Sequence, residues 1–319
     1  MVEFGERLKK AREEKGLSQQ ALAEQLYVTR QSISRWERGD RYPDLVTTKR
    51  IARILGLSID SLLSDEDMPE VVEKSPVIES KVANNVTIAL FMSIVLLRFI
   101  EHMQYLMEWY GIQGPKRFDY GTFDFGSVFG YTIEALYIAI FSYGLYCAIK
   151  DIQTPKRIGI VLISYFLIFL IDGFFWFCYN FRNQLEVFNR SFRNRIWEYI
   201  SICLECDIPL YCPAIMLLIA VYFFFIRGSK RKLWVNIIMV ASIWGIINAV
   251  NNDIDWMLNE RRGVMENYKY TIDDVTMCSI YIVRDFFTRI SLYCLIICQT
   301  LTLYRKRKTA SDLQEKDKN

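Results

Sequence analysis

Residues 17–44 read LSQQALAEQLYVTRQSISRWERGDRYPD, and this stretch predicts two short helices joined by a tight turn. Ser18 and Thr29 are good N-cap residues for helices over 18–26 and 29–38, because their side-chain oxygens can accept from the first free backbone N–H groups. Gly39 then supplies the left-handed conformation that commonly ends a helix. Two helices of about eight residues around such a turn form a helix-turn-helix.

Helical patterns also flank this stretch on both sides. Before it, apolar residues recur at helical spacing over 4–15. After it, one helix is predicted over 45–55 and another over 58–63. Residues 1–63 therefore predict a five-helix domain.

The same residues resemble the helix-turn-helix of the phage-repressor (Cro/repressor, XRE) family. The matching positions are Leu17-Ser18-Gln19, Leu22-Ala23, Leu26, Val28, Ile33-Ser34, Trp36-Glu37-Arg38-Gly39 and Pro43. The resemblance extends over residues 4–63 and implies an all-α, lambda-repressor-like domain. One departure is Tyr27, which stands in the turn where Gly or Asn is common.

The resemblance implies binding to double-stranded DNA, with the second helix of the motif in the major groove. Arg30 and Gln31 begin that helix, and these residue types can pair with guanine and adenine through two hydrogen bonds each. Gln19 and Gln20 begin the preceding helix, where backbone N–H groups favour phosphate. The full candidate set is Gln19, Gln20, Thr29, Arg30, Gln31, Ser32, Arg35, Arg38 and Arg41. The alternative for each of these side chains is an ordinary solvated surface position.

Residues 64–81, SDEDMPEVVEKSPVIESK, predict a linker, because they carry two prolines and eight charges. They contain no heptad seam. Domains of this kind usually bind a two-fold operator as dimers, so we expect a homodimer. It would form through the DNA, the helix-turn-helix or the remainder of the chain.

The remainder of the chain is apolar and aromatic. The whole sequence holds 21 Phe, 19 Tyr and 7 Trp, and 52% of it is hydrophobic, which excludes an intrinsically disordered protein. Between residues 82 and 304, six apolar runs have about the ~20 residues that a helix needs to cross a bilayer. They are 84–107, 128–149, 158–179, 208–226, 233–251 and 277–303. We expect a six-helix transmembrane bundle over 82–304 and a polar tail over 305–319.

Basic residues predict the orientation of this bundle. Although the net charge of +3 implies no partner by itself, Lys and Arg cluster directly beside helix ends at 150–157, 227–232 and 305–308. Such clusters favour the cytoplasmic side. We therefore expect a multi-pass protein of the cell membrane with both termini in the cytoplasm, where a DNA-binding domain must also lie.

Polar residues inside the apolar runs predict a second site. Charges at membrane depth usually face the bundle interior or a cavity. With this topology they fall in the outer half of the bundle, where a pocket could take an extracytoplasmic small ligand or peptide. The candidates are Glu101, His102, Glu134, Asp172, Trp176, Asn251, Asp255, Arg284, Asp285 and Arg289. The alternative is a set of internal ion pairs, such as Arg98 with Glu101 or Asp285 with Arg289, that only holds helices together.

The sequence contains no pattern typical of an enzyme. Its single histidine excludes Ser-His-Asp, Cys-His and HExxH sites, and it has no phosphate-binding glycine loop. We expect no cofactor and no metal. Cys203-x-x-Cys206, with Cys212 nearby, is a weak indication of a redox or metal site, and the eight cysteines are most simply small apolar residues.

We therefore expect a membrane-anchored transcriptional regulator, a one-component sensor whose cue is perceived by the transmembrane domain. A second hypothesis is a transporter or immunity-type membrane protein whose helix-turn-helix domain only regulates its own gene. A third is a tether that holds DNA at the membrane or is released by proteolysis in the linker. The sequence identifies neither the operator nor the cue.

Overall fold

The fold is described here from a computed structural model of the chain. It describes residues 4–43, 45–62, 72–73, 75–78, 80–109, 125–187, 210–228, 232–265 and 272–318. Regular secondary structure within these ranges is helical throughout, without a strand. The expected all-α fold class, a small helical domain followed by apolar helices, is confirmed.

Five helices form the N-terminal domain. They are α1 (Phe4–Glu14), α2 (Gln19–Leu26), α3 (Arg30–Glu37), α4 (Leu45–Leu55) and α5 (Ile59–Leu62). Their apolar faces meet in one core, in which Leu8, Leu22 and Ile33 are fully buried. Because this cluster draws only on residues between Phe4 and Leu62, the domain has a hydrophobic core of its own.

The N-caps predicted for this domain are present. Ser18 Oγ accepts a hydrogen bond from the Ala21 N–H at 3.0 Å, and Thr29 Oγ1 accepts from the Ser32 N–H at 3.2 Å. Gly39 follows α3 with a φ of +72°, as the end of that helix requires. The caps fix where α2 and α3 begin, and hence the turn between them.

Tyr27 occupies the turn between α2 and α3 in a left-handed conformation, with φ 57° and ψ 41°. Its side chain is 92% exposed, so it gains no packing that would offset the strain. The departure noted in the sequence is therefore a non-glycine residue in a conformation that favours glycine.

Among the described residues after the strap, six longer helices are present. They are α6 (Lys81–Trp109), α7 (Phe125–Ile149), α8 (Pro155–Val187), α9 (Leu210–Ile226), α10 (Lys232–Met265) and α11 (Ile272–Lys318). Successive helices pack side by side from α6 to α8, the last turn of α9 packs on α8 and α10, and α11 packs on both α10 and α6. The helices thus form a closed ring, with a core that includes Ile94, Phe141 and Leu295.

Five of these helices contain segments long and apolar enough to cross a membrane. They are Lys81–Met103, Val128–Ile149, Pro155–Tyr179, Lys232–Asn251 and Val283–Asp312. The sixth, Leu210–Ile226, is apolar but has 17 residues. Large apolar side chains point away from the bundle, for example Phe174 at 70% and Leu96 at 59% exposed. Such an apolar exterior is typical of helices that face lipid.

The described residues of the predicted linker lie against the bundle. We call residues 72–73 and 75–78 the strap. Val77 and Ile78 are buried in the same core as α6–α11, and the Val77 N–H donates to the Gln153 carbonyl at 2.8 Å. The strap is thus packed between the loop that follows α7 and the part of α11 around Lys306 and Arg307.

Two basic residues of α11 hold the strap. The Lys306 ammonium donates to Ser75 Oγ at 2.5 Å and to the Pro76 carbonyl at 2.7 Å. The Arg307 guanidinium donates to Glu73 Oε1 at 2.8 Å and to the Phe224 carbonyl at 2.7 Å. Both residues belong to the segment expected to be a polar tail, which continues α11 as helix to Lys318.

Phe224 lies in a π-helical turn, Tyr222–Ile226, at the end of α9. The last four carbonyls of a helix have no partner within it, and the Phe224 carbonyl is one of them. Arg307 uses the Phe224 carbonyl and lies over the Phe224 ring at 4.7 Å from its centroid. One arginine therefore joins α9, α11 and the strap.

Candidate nucleic-acid interface and its surroundings

The exposed face of α3 carries the candidate base-reading residues. Ile33 and Trp36 point into the core and are 0% and 6% exposed, so the opposite face is turned outward. Arg30, Gln31 and Arg35 are exposed on that face, and no other described residue forms a hydrogen bond or ion pair with their side chains. They are available to a ligand in the groove of a duplex.

Thr29 and Ser32 have a structural role at the start of α3. Thr29 is the N-cap, and its hydroxyl lies 3.0 Å from that of Ser32. Both hydroxyls therefore already have one partner before any DNA is bound. Their prediction as DNA contacts stays untested.

The two glutamines at the start of α2 differ in their surroundings. Gln19 Nε2 donates to Glu37 Oε2 at 2.8 Å, whereas Gln20 Nε2 donates to Glu24 Oε1 at 2.8 Å on the exposed side of α2. Because the Glu37 side chain is 4% exposed, the Gln19 amide nitrogen is directed into the domain. The Gln19 side chain thus has a partner within the domain, and its prediction as a DNA contact stays untested.

Arg12 is a residue whose role the sequence analysis missed. Its guanidinium donates to Glu37 Oε1 at 2.5 Å and to the Leu17 carbonyl at 2.7 Å, which joins α1, the loop before α2 and the end of α3. The hydrogen bond that Arg12 donates to the Glu37 carboxylate raises the pKa of Arg12, so the guanidinium stays charged. The signal that could have found it is spacing, since Arg12 follows the buried Leu8 by four residues.

The end of α3 is also held by close backbone contact with α1. A Cβ atom on Gly5 would lie 2.5 Å from the Glu37 carbonyl oxygen and 2.7 Å from that of Trp36. Only glycine permits this approach. Gly5 and Arg12 together fix the direction of α3, which is the direction in which Arg30 and Gln31 are presented.

The two basic residues that follow α3 already have acidic partners. Arg38 Nε lies 2.9 Å from Asp40 Oδ2, and both side chains are exposed. Arg41 Nη2 donates to the Asp151 carbonyl and lies 3.3 Å from Asp151 Oδ2. Asp151 belongs to the loop between α7 and α8, so Arg41 connects the N-terminal domain to the helical bundle.

Several of the predicted pocket residues form an ion-pair network between α6, α7 and α11. Arg98 Nη1 lies 3.1 Å from Glu101 Oε2 and 3.0 Å from Glu134 Oε1, and Arg284 Nη2 lies 2.8 Å from Glu101 Oε1. Two cations and two carboxylates thus balance one another. Asp285 and Arg289 form a further pair, at 2.6 Å, along α11.

The other pocket candidates are more scattered. His102 meets Tyr131 edge to face at 6.5 Å between ring centroids, while Asp172 and Trp176 lie one turn apart on α8. Asn251 is exposed, and the side chain of Asp255 lies outside the described residues. Asn248 and Arg289 line a cavity of about 20 Å³, which has room for roughly one water molecule. The ligand pocket stays a prediction, and the pairs around Arg98 fit the structural alternative.

The possible redox or metal site lies mostly outside the described part of the chain. Cys203 and Cys206 belong to the undescribed residues, and Cys212 is a free thiol on α9. Among described residues, no group of three or more His, Cys, Asp and Glu is arranged to hold a metal ion.

Comparison with known proteins identifies relatives of the N-terminal domain. A family model described as helix-turn-helix matches residues 8–62. The chain is 44% identical over 72 residues to the HTH-type transcriptional activator BcrR of Enterococcus faecalis. The matched residues make up 23% of this chain and 35% of BcrR. The chain is also 52% identical over 60 residues to the SPbeta prophage-derived HTH-type transcriptional regulator YonR of Bacillus subtilis. These residues make up 19% of this chain and 56% of YonR.

An archaeal relative is matched over almost its whole length. The chain is 44% identical over 62 residues to an HTH-type transcriptional regulator of Methanothermobacter thermautotrophicus. The matched residues make up 19% of this chain and 90% of that regulator. By contrast, the chain spans only about a third of BcrR and just over half of YonR. No solved structure matches it significantly. Through its N-terminal domain, the chain belongs to the helix-turn-helix family of phage-repressor (Cro/repressor, XRE) type regulators.

Proposed function

We propose that the chain is a membrane-anchored, sequence-specific transcriptional regulator, a one-component sensor in which the apolar helices perceive the cue. The observation that carries the DNA-binding part is the outward face of α3, where Arg30, Gln31 and Arg35 are exposed and form no hydrogen bond or ion pair with other described residues. The relatives are named as HTH-type regulators, which supports the same function for this domain.

In the proposed complex, α3 enters the major groove of double-stranded DNA. Arg30 and Gln31 read base edges near the start of the helix, and Gln20 and Arg38 contact phosphate beside the groove. A single module of this size reads few bases, so a homodimer on a two-fold operator would supply both affinity and specificity.

The membrane part of the proposal rests on the length and composition of α6–α11. Five of these helices are long and apolar enough to cross a bilayer, and their outward side chains are apolar. The strap, the loop at Asp151 and the basic end of α11 lie together at one end of the bundle. This grouping supports a single cytoplasmic face that carries the DNA-binding domain and both termini.

The strap provides a physical route between bundle and domain. It contacts Gln153 after α7, and the residues Lys306 and Arg307 of α11, so a change in how these helices pack alters how the strap is held. A cue acts through this route only if it favours one packing of the bundle over another. The outer polar residues around Glu101 and Asp172 are the proposed place for such a cue, an extracytoplasmic small ligand or peptide.

The test is DNA binding by the full-length chain in detergent or nanodiscs, with a duplex that the wild-type protein selects from a random pool. The double variant Arg30→Ala, Gln31→Ala should bind that duplex at least ~30-fold more weakly, because two bidentate base contacts contribute about 1–3 kcal/mol each. Lys10→Ala, Gln25→Ala is the matched control, since it removes the same kinds of group from exposed positions on α1 and α2. Equal affinity of the two double variants would refute the assignment to α3.

A further inference from the structure

Asp151, which accepts hydrogen bonds from Arg41, is held in a fixed position at the end of α7. The Asp151 N–H donates to the Ala148 carbonyl at 3.1 Å, and the Ile152 N–H donates to the Cys147 carbonyl at 2.9 Å. This pair of hydrogen bonds is the Schellman arrangement, in which the residue after the helix takes a left-handed conformation. Asp151 does so, with φ +53°.

Aspartate is one of the few residues besides glycine that tolerate this left-handed conformation, but its charge is not needed there. Glycine or asparagine would satisfy the turn equally well without a charge. A carboxylate at the C-terminal end of a helix also opposes the negative end of the helix dipole. Neither the helix end nor the turn therefore accounts for a carboxylate at residue 151.

The contact with Arg41 accounts for a carboxylate at residue 151. The Arg41 guanidinium donates to two oxygen atoms of Asp151, the backbone carbonyl oxygen and Oδ2. The Arg41 side chain is 23% exposed. One of these oxygens belongs to a carboxylate, and an anionic oxygen acceptor is also what a DNA phosphate offers to an arginine. Arg41 lies four residues after the end of α3 and is one of the predicted DNA contacts, and while Arg41 Nη2 is held by both Asp151 oxygens, that nitrogen is not available to a phosphate.

The strap makes this weak contact effective. Ten residue steps separate Leu62, at the end of α5, from Val72, which is buried in the bundle core. Because an extended chain spans at most about 3.3–3.6 Å per residue, the domain stays within roughly 35 Å of the strap. A short tether of this kind gives its two ends an effective concentration on the order of millimolar.

We propose that Asp151 is an autoinhibitory phosphate mimic, which binds Arg41 in the DNA-free protein and must release it before the domain binds DNA. This inference rests on the proposed function. It assigns the corner between α7 and α8 as the place where the bundle controls DNA affinity, since a shift of either helix moves Asp151 relative to Arg41.

The test compares duplex affinities of the full-length protein in nanodiscs at one fixed salt concentration, with the duplex selected by the wild type. Asp151→Asn removes the charge while keeping a residue type that tolerates a left-handed conformation. It should bind DNA about two- to five-fold more tightly, the range expected for a partly exposed ion pair. Asp312→Asn is the matched control, because it removes the same charge from an exposed position on α11, and its affinity should match the wild type.

A double-mutant cycle with Arg41→Ala isolates the contact. In the Arg41→Ala background, the change Asp151→Asn should leave affinity unchanged, because the group that Asp151 sequesters is gone. The inference is overturned if Asp151→Asn binds like the wild type, if Asp312→Asn gains as much, or if the gain persists without Arg41. If the wild type selects no duplex at all, the proposed function fails and this inference fails with it.

Discussion

The Arg12–Glu37 pair offers a quantitative test of how the N-terminal domain is held together. Arg12→Met removes a buried guanidinium whose side chain is 9% exposed, and leaves Glu37, at 4% exposed, without its cation. Removing one partner of a buried ion pair typically costs about 3–5 kcal/mol, because the remaining charge is buried and unpaired. The Leu17 carbonyl loses its donor as well. We expect a loss of about 3 kcal/mol in the free energy of unfolding.

The assay is urea and thermal unfolding of residues 1–63, followed by circular dichroism. This segment has its own core, and a relative matched over 90% of its length consists of little more than this domain. For a domain of this size, about 3 kcal/mol corresponds to a decrease in Tm of roughly 12–24 °C. Since small domains have only about 0.05–0.15 kcal/mol of stability per residue, the variant should be partly unfolded at 37 °C.

Two further variants separate the ion pair from the general effect of losing a charge. Lys9→Met changes an exposed cation on the same helix and should alter stability by less than about 0.5 kcal/mol. Arg12→Met combined with Glu37→Leu removes both buried charges and should recover much of the loss. The reasoning is refuted if Arg12→Met alone stays within ~1 kcal/mol of the wild type, or if the double variant is no better than the single one.

Two other substitutions test the strained turn and the ion pairs of the bundle. Tyr27→Gly should raise the stability of residues 1–63 by about 0.5–1 kcal/mol, because the left-handed strain at φ 57° is relieved and the 92% exposed ring loses no packing; a lower urea midpoint would contradict this. Glu101→Gln should lower the Tm of the full-length protein in detergent by several degrees, since Glu101 pairs with both Arg98 and Arg284. An unchanged Tm would mean that these pairs do not hold α6 and α11 together.

The local structure of the N-terminal domain could be predicted from the sequence because its signals are local. A cap such as Ser18 or Thr29 bonds to a backbone group three residues away, and Gly39 adopts its conformation for reasons that lie within the same turn. The apolar helices were equally accessible, because length and composition are properties of a continuous run.

The contacts between distant segments could not be predicted in this way. Prolines and charges made residues 64–81 look like a solvated linker, yet Glu73 pairs with Arg307 across 234 positions of sequence and Val77 is buried. The same applies to Arg41 and Asp151, which are 110 residues apart. From the sequence alone, a charged side chain is predicted to be exposed to solvent unless its partner is known. No rule of residue spacing predicts an ion pair between residues so far apart.

The short segment between α5 and the buried strap limits how far the DNA-binding domain can move to reach a target gene. In the proposed membrane-anchored arrangement, a reach of roughly 35 Å carries the domain beyond the bilayer's negative surface potential, which decays over a Debye length of about 8 Å. It does not carry the domain into the nucleoid. In that arrangement the regulator stays at the envelope, and occupancy of its target depends on how often thermal motion of the chromosome brings that locus to the cell periphery.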